Sequence, residues 1–343
     1  MKNSILKSFM YSGLVSIFVL GSCADKDQDS IDDGSNGVIT DDILSGRVYN
    51  DAVLDASIDY KLTGAYIIES GASLVIPAGT KITADAGGTD VYIAVLKGGS
   101  IDIQGTVSSP VVISSEDGEP GDWGGLTICG SATTTAGVNA TAEVGGFIYG
   151  GTNDADDSGS IKNLVIKGTG AQINADAQYN GISFYAVGSG TVVENIAVID
   201  GDDDGVEFFG GSVAVKNIYL ENNSDDSIDW TEGWNGIVES AYISHTVAGF
   251  STVLEGDKDN NNPSFVNLTA ISSVGGTALQ FKKQSGATIT GLSLAGYSKN
   301  IDMKDGGALS NVQIAGNDAT TTDAYDAAAT VDISSWSWIN AEL

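Results

Sequence analysis

A stretch of this chain repeats itself 22 residues on. Val193-Glu194-Asn195-Ile196-Ala197-Val198 is followed by Asp202-Asp203-Asp204-Gly205-Val206-Glu207-Phe208. Val215-Lys216-Asn217-Ile218-Tyr219-Leu220 is then followed by Ser224-Asp225-Asp226-Ser227-Ile228-Asp229-Trp230. Asn195 and Asn217, Asp204 and Asp226, and Glu207 and Asp229 all keep the same 22-residue step. A fixed period of this size marks a solenoid, whose coils bury their apolar faces only by stacking on one another. It also sets the acidic residues of one coil over those of the next. Rungs of a parallel sheet lie roughly 4.8 Å apart, so equivalent carboxylates stack at about that separation. A cation, a proton or open solvent must relieve the repulsion.

The Asn position recurs at Asn163, Asn267 and Asn311, with Ser240 and Gly291 in the same slot of intermediate coils. A second strand follows in most coils: Gly181-Ile182-Ser183-Phe184, Gly205-Val206-Glu207-Phe208 and Ser227-Ile228-Asp229-Trp230. Ala278-Leu279-Gln280-Phe281 and Asn300-Ile301-Asp302-Met303 continue it. Alternation turns the aliphatic and aromatic members inward, and Ser183, Glu207, Asp229, Gln280 and Asp302 outward. Gly interrupts every candidate helix, and β-branched residues fill the short apolar runs. The expected fold is all-β, a right-handed parallel β-helix with coils of about 22–24 residues. The Asn column predicts a ladder of side-chain amides bonded along the axis at the bends. With 45 Gly and only 4 Pro in 343 residues, the composition suits a chain of many tight turns.

The start of the chain reads as an address. A basic Met1–Lys7 precedes an apolar Phe9–Leu20, too short for a comfortable membrane span. Leu20-Gly21-Ser22-Cys23 resembles the lipobox of bacterial lipoproteins. The resemblance implies a signal peptide over 1–22, lipidation of Cys23, and anchoring in the outer membrane. Residues 23–40 are an acidic, polar tether, and such a run after the lipidated Cys resembles a surface-export signal. The single domain then spans 41–343, with N-terminal coils and cap over 41–120, main coils over 121–315 and a C-terminal cap over 316–343.

Only Cys129 remains in the mature chain, so no intramolecular disulfide forms, and Ile128-Cys129-Gly130 places it in an apolar strand as a core residue. His245, the only histidine, excludes His-rich zinc sites, and no strained nucleophile turn accompanies it.

Tyr66–Thr80, Gly98–Thr106 and Gly121–Leu126, with the Asp-Asp-Gly and Asp-Asp-Ser repeats, resemble surface lipoproteins of Bacteroidota that carry a pectate-lyase-like right-handed β-helix. The resemblance covers roughly 45–335 and implies fold rather than chemistry.

The acidic ladder is where chemistry is expected. Asp202, Asp203, Asp204 and Glu207 on one coil face Asp225, Asp226, Asp229 and Glu232 on the next. Hard oxygen donors at this density suit Ca²⁺, which takes six to eight of them. Asp225-Asp226-x-x-Asp229 also resembles the calcium site of family-nine pectate lyases, in which the metal neutralises a uronate and a lysine takes the proton α to it. That resemblance makes Lys282 or Lys283 the candidate base, set one coil beyond Asp229 across a coil read as non-acidic. No arginine accompanies them, since Arg47, the only one, lies in the N-terminal segment. A plain solvated acidic face is the competing reading, because the net charge of −30 spreads acidity widely. Phe184, Phe208, Trp230 and Phe281 read as a stacked core. Trp234, in a turn, and Tyr185 and Phe209, in an outward column, are the candidates for stacking on a sugar ring. Basic patches and phosphate loops are absent, which argues against nucleic acid.

Three functions fit this pattern. The first is a cell-surface, non-catalytic binding module presenting a calcium-binding face to a glycan or protein. The second is a calcium-dependent polysaccharide lyase acting on uronate polymers. The third is a structural surface protein.

Overall fold

The computed structural model describes residues 37–343 except 176, 259–261, 322–324 and 326–327. The signal peptide, Cys23 and most of the tether therefore lie outside the described residues. The chain is a right-handed parallel β-helix, with strands of successive coils hydrogen-bonded along the solenoid axis. Its first series of strands includes Val192–Ile199, Ala214–Glu221, Ile237–His245, Ser264–Ser272 and Ala287–Ala295. Its second includes Ile182–Tyr185, Val206–Phe209, Ile228–Thr231, Leu254–Gly256 and Thr277–Phe281. The repeat sets the register directly, pairing Val193 with Val215 and Ile196 with Ile218. In the second series Ile182, Val206, Ile228, Leu254, Leu279 and Ile301 form one inward column.

Each long strand of the first series bends at a left-handed residue. Asn163, Asn195, Asn217, Ser240 and Asn267 have φ between 49° and 63°, and Gly291 takes the slot at φ 72°. Asn tolerates this region better than other residues with a side chain, because its short amide bonds locally. The amides form the expected ladder. Asn217 Nδ2 donates to Asn195 Oδ1 at 2.8 Å, and Asn195 Nδ2 donates to Asn163 Oδ1 at 3.0 Å. Asn163 closes it on the Gly105 carbonyl at 2.8 Å. Asn311 falls outside this column. The pairing of Ile289 with Ile314 puts Gly316 opposite Gly291, and Asn311 sits in a short 3₁₀ turn before the strand.

Phe184 stacks on Phe208 with centroids 5.3 Å apart, and Trp230 meets Phe281 edge-on at 6.0 Å. Their registers run Phe184, Phe208, Trp230, Gly256, Phe281. Gly256 interrupts the aromatic series because a Cβ there would meet the Trp230 ring at 2.7 Å.

Two excursions cover one outer face. Residues 130–158 leave the helix and carry a small antiparallel pair, Ala140–Thr141 with Ile148–Tyr149. Residues 171–175 and 177–179 belong to a second loop beside it. Buried Asp156 ties the first excursion down, accepting from the Ser131 backbone N–H and the Ser158 hydroxyl. The chain's last segment does not sit only at the end of the solenoid. Ala319 packs into the core there, but residues 330–342 run back along the outside. Trp336 and Trp338 cover Val112, Val165 and Ala197, while Lys167 pairs with Glu342 at 2.8 Å.

Candidate functional site

Two columns of polar residues on the second series bound a cleft of about 350 Å³. The pairing of Ile182, Val206 and Ile228 places Asn180, Asp204 and Asp226 in one column, two residues ahead of each strand. Ser183, Glu207, Asp229, Glu255, Gln280 and Asp302 form the other, inside the strands. Glu143 and Gln178, from the two excursions, overhang it.

The outward column is not solvated as alternation alone implies. Asp204, Glu207, Asp226 and Glu255 are only 3–9% exposed, because the excursions and neighbouring turns close over them. Among the described residues, three groups of carboxylate oxygens converge, each within 4.8 Å: Asp203, Asp204 and Asp225; Asp204, Glu207 and Asp229; and Asp226, Asp229 and Glu255. Neutral donors satisfy part of this array. Asn180 Nδ2 donates to Glu207 Oε2 at 2.8 Å, Gln178 Nε2 to Asp203 Oδ1 at 2.8 Å, and Gln280 Nε2 to Glu255 Oε2 at 2.6 Å. The Asp226 backbone N–H donates to Asp204 Oδ1 at 2.9 Å, and the Thr252 hydroxyl donates to Asp226. Asp229 Oδ1 is shielded from solvent and has no hydrogen-bond partner among the described residues.

Burial and mutual repulsion raise the carboxyls together. Asp203 is pushed up to about 8, by desolvation first and the Asp225 charge next. Asp204, Glu207, Asp226 and Asp229 are all raised well above the carboxylate range, by burial first and then by neighbouring carboxylates, Asp229 foremost for Asp204 and Glu207, Glu255 for Asp226, and Asp226 then Glu255 for Asp229.

Lys282 enters the same cleft and forms an ion pair with Glu255. Burial by itself would lower its pKa, but the Glu255 hydrogen bond and charge, with Asp226 and Asp229, outweigh that and raise it. In this state the lysine is a committed cation, contrary to the lowered pKa that a base needs. Lys283 lies at the rim, 3.4 Å from Asp257.

Several expected site residues are elsewhere. Asp202 and Glu232 belong to none of the three carboxylate groups. Glu232 instead accepts from Thr134 Oγ1 and Tyr149 OH, both at 2.8 Å, and so anchors the first excursion. Trp234 is fully buried, stacked 4.0 Å from Phe208, with its indole N–H on the Val213 carbonyl. It is a core residue and cannot stack on a ligand. Tyr185 and Phe209 are also buried, at 1% and 6% exposure, and stack on each other at 4.0 Å. They do point out of the solenoid, but the 130–158 excursion covers them, with Tyr149 4.9 Å from Tyr185. Cys129 is buried in that same cluster, its thiol pushed up to about 12 by desolvation. His245 is sealed between Ser227 Oγ and Tyr297 OH and stacks on Phe250, with no access to substrate.

Glu255 and Asn180 are the site residues that the sequence reading missed. The coil assumed to be non-acidic carries Glu255, in register with Asp229 and Gln280. Its strand lacks the aromatic that marks the others, since Gly256 stands in that place. Asn180 was legible in principle, because Asn180-Gly181, Asp204-Gly205 and Asp226-Ser227 hold one register.

A parallel β-helix with a buried acidic cleft on one face defines the class of this protein. The chain belongs to the pectate-lyase-like β-helix domain family, whose model matches residues 46–337. That membership fits a carbohydrate-related role. No curated protein and no solved structure matches the chain.

Proposed function

We propose that the cleft binds Ca²⁺ and that the cation holds an acidic glycan, so that the protein serves as a non-catalytic binding module at the cell surface. One observation carries the reading. Asp229 Oδ1 is shielded and has no hydrogen-bond partner among the described residues, amid Asp204, Glu207, Asp226 and Glu255. Buried charge persists only when paired, protonated or bound to metal, and hard oxygen donors favour Ca²⁺. A chain of net charge −30 repels a uronate polymer unless a cation bridges the two. Binding of pectate or alginate fragments should be at least tenfold weaker with chelator present, or in the Asp226→Asn/Asp229→Asn double variant. Binding that ignores both treatments refutes the reading.

The lyase alternative is favoured by a single observation, the presence of Lys282 in that cleft. A cation drawing on Glu255 would weaken the ion pair that holds the lysine protonated. Uronate polymers would then give the absorbance of an unsaturated product, and Lys282→Ala would abolish it. The committed ion pair, and the absence of any arginine from the cleft lining, favour binding without turnover. Membrane attachment belongs to the same proposal and rests on Leu20–Cys23. Cys23→Ala should stop metabolic labelling by fatty acid, and a variant still labelled removes the anchor from the proposal.

A further inference from the structure

Two of the carboxylate groups are not independent, because both contain Asp229. One is completed by Asp204 and Glu207, the other by Asp226 and Glu255, from successive rungs of the solenoid. We propose that the centre is binuclear, holding two divalent cations side by side along the helix axis with Asp229 bridging them. This rests on the cation reading above and goes further, because that reading needs only one ion.

Charge balance is the first argument. The two groups hold five carboxylates, and Lys282 supplies one positive charge through Glu255. One divalent ion leaves two negative charges over, in a place where Asp204, Glu207, Asp226 and Glu255 are at most 9% exposed. A second ion brings these five to neutrality without added protons, while Asp203 and Asp225, which with Asp204 make the third group, lie at the open side, half-buried and exposed respectively, where solvent screens them.

The unsatisfied oxygens are the second. Asp229 Oδ1 lacks a partner among the described residues, and so does Asn180 Oδ1. Asn180 is only 2% exposed and already lies against the centre, its Nδ2 bonded to Glu207. A buried polar atom without a partner needs an explanation. Here both are hard oxygen donors, one at the shared position and one beside the first group. Turning the Asn180 amide would exchange its Nδ2 bond to Glu207 for an oxygen offered to the Asp204–Glu207 ion, while Asp229 offers both oxygens as a bridge.

The same column supplies a third argument further along the axis. Asp302 meets Lys299 at 2.7 Å and Lys304 at 2.6 Å, so protein cations neutralise it. No comparable pair of lysines serves Asp229 among the described residues. Adjacent rungs lie roughly 4.8 Å apart, close to the separation of about 3.5–4 Å seen in two-metal sites.

Equilibrium dialysis and titration calorimetry with Ca²⁺ alone test this on the whole chain. Asp229→Asn should remove two bound ions per chain. Glu207→Gln and Glu255→Gln should each remove one, and Asn180→Ala should weaken one site at least tenfold while leaving the other intact. Luminescence transfer from Tb³⁺ to Eu³⁺ in doubly loaded protein should be strong, and lost in either Gln variant. If Asp229→Asn fails to fold, the two Gln variants decide. A single ion removed by Glu207→Gln and Glu255→Gln alike overturns the binuclear centre but leaves the calcium site standing. No bound ion at all overturns both.

Discussion

The carboxylate array predicts that one substitution changes the sign of its effect with metal. In Asp229→Asn the side chain keeps its shape and one acceptor oxygen but loses its charge. Without metal, ionised Asp229 lies within 4.8 Å of carboxylates in both groups. Two unit charges at that distance repel by about 3.5 kcal/mol at an effective dielectric of about 20. Protonation relieves part of this repulsion, so where Asp229 is ionised, removing its charge should stabilise the metal-free chain by up to about 3 kcal/mol. For a chain of this size that is a rise of up to about 6 °C in Tm. With millimolar Ca²⁺ the order reverses, because the parent gains binding energy that the variant has lost.

The pH dependence carries the same sign. Carboxyls whose pKa is raised by folding contribute stability that is fully present below about 3.8, the unfolded value, and lost as pH rises through the folded value. For Asp203 that folded value is about 8. In chelator, Tm should therefore climb as pH falls from 8 towards 6, and Asp229→Asn should flatten the climb. The assay is thermal unfolding of parent and variant, in Ca²⁺ and in chelator, between pH 6 and 8. If Asp229→Asn is the less stable protein in both solutions, the array is not strained and the reasoning fails.

Asn217→Leu removes the donor to Asn195 Oδ1 and places a branched side chain at φ 58°. It should cost about 1–3 kcal/mol for the broken ladder and about 1 kcal/mol more for the backbone, read by denaturant unfolding. Ser240→Asn supplies the missing amide at φ 63°, so it should raise the midpoint rather than lower it. His245 is held down to about 4 by burial. Its contribution is present above about 6.5 and lost as pH falls through 4, opposing the carboxylates, so His245→Phe in chelator should steepen the gain in Tm below pH 6.5. Trp338→Ala uncovers the outer stripe at Val112 and Val165 and should cost about 3–5 kcal/mol. Size-exclusion chromatography should show self-association when residues 331–343 are deleted.

The coil, its bends and the inward columns were legible because each rests on local chemistry repeated at a fixed step. Asn is suited to a left-handed bend wherever it occurs, and alternation follows from the pleat. What lay outside that reach was cover. Tyr185 and Phe209 do point outward, and nothing in their own strands shows that Tyr149, some 36 residues upstream of Tyr185, lies over them. Trp234 read as exposed because it follows Gly233, yet its ring fills space above Phe208 within the solenoid. Glu255 was hidden for a steric reason. The other coils place a large apolar residue after the outward position (Phe184, Phe208, Trp230, Phe281, Met303), and in this one the Trp230 ring already occupies that volume, leaving room only for Gly256.

The contrast between Asp229 and Asp302 bears most directly on function. Both occupy the same column of the second strand series, two coils of Glu255 and Gln280 apart. Asp302 sits between two lysines that hold its carboxyl below the usual range; burial alone would raise it, but the Lys299 and Lys304 bonds outweigh that. Asp229 is raised instead, by burial and then by Asp226 and Glu255. A chain that can neutralise this position with its own side chains has done so in one coil and not in the other. The general acidity of the protein does not account for that difference, since both residues share it. Lys282 offsets part of the charge at Asp229 but bonds Glu255 instead, and the cation proposed above would account for the rest with the donor atoms present there.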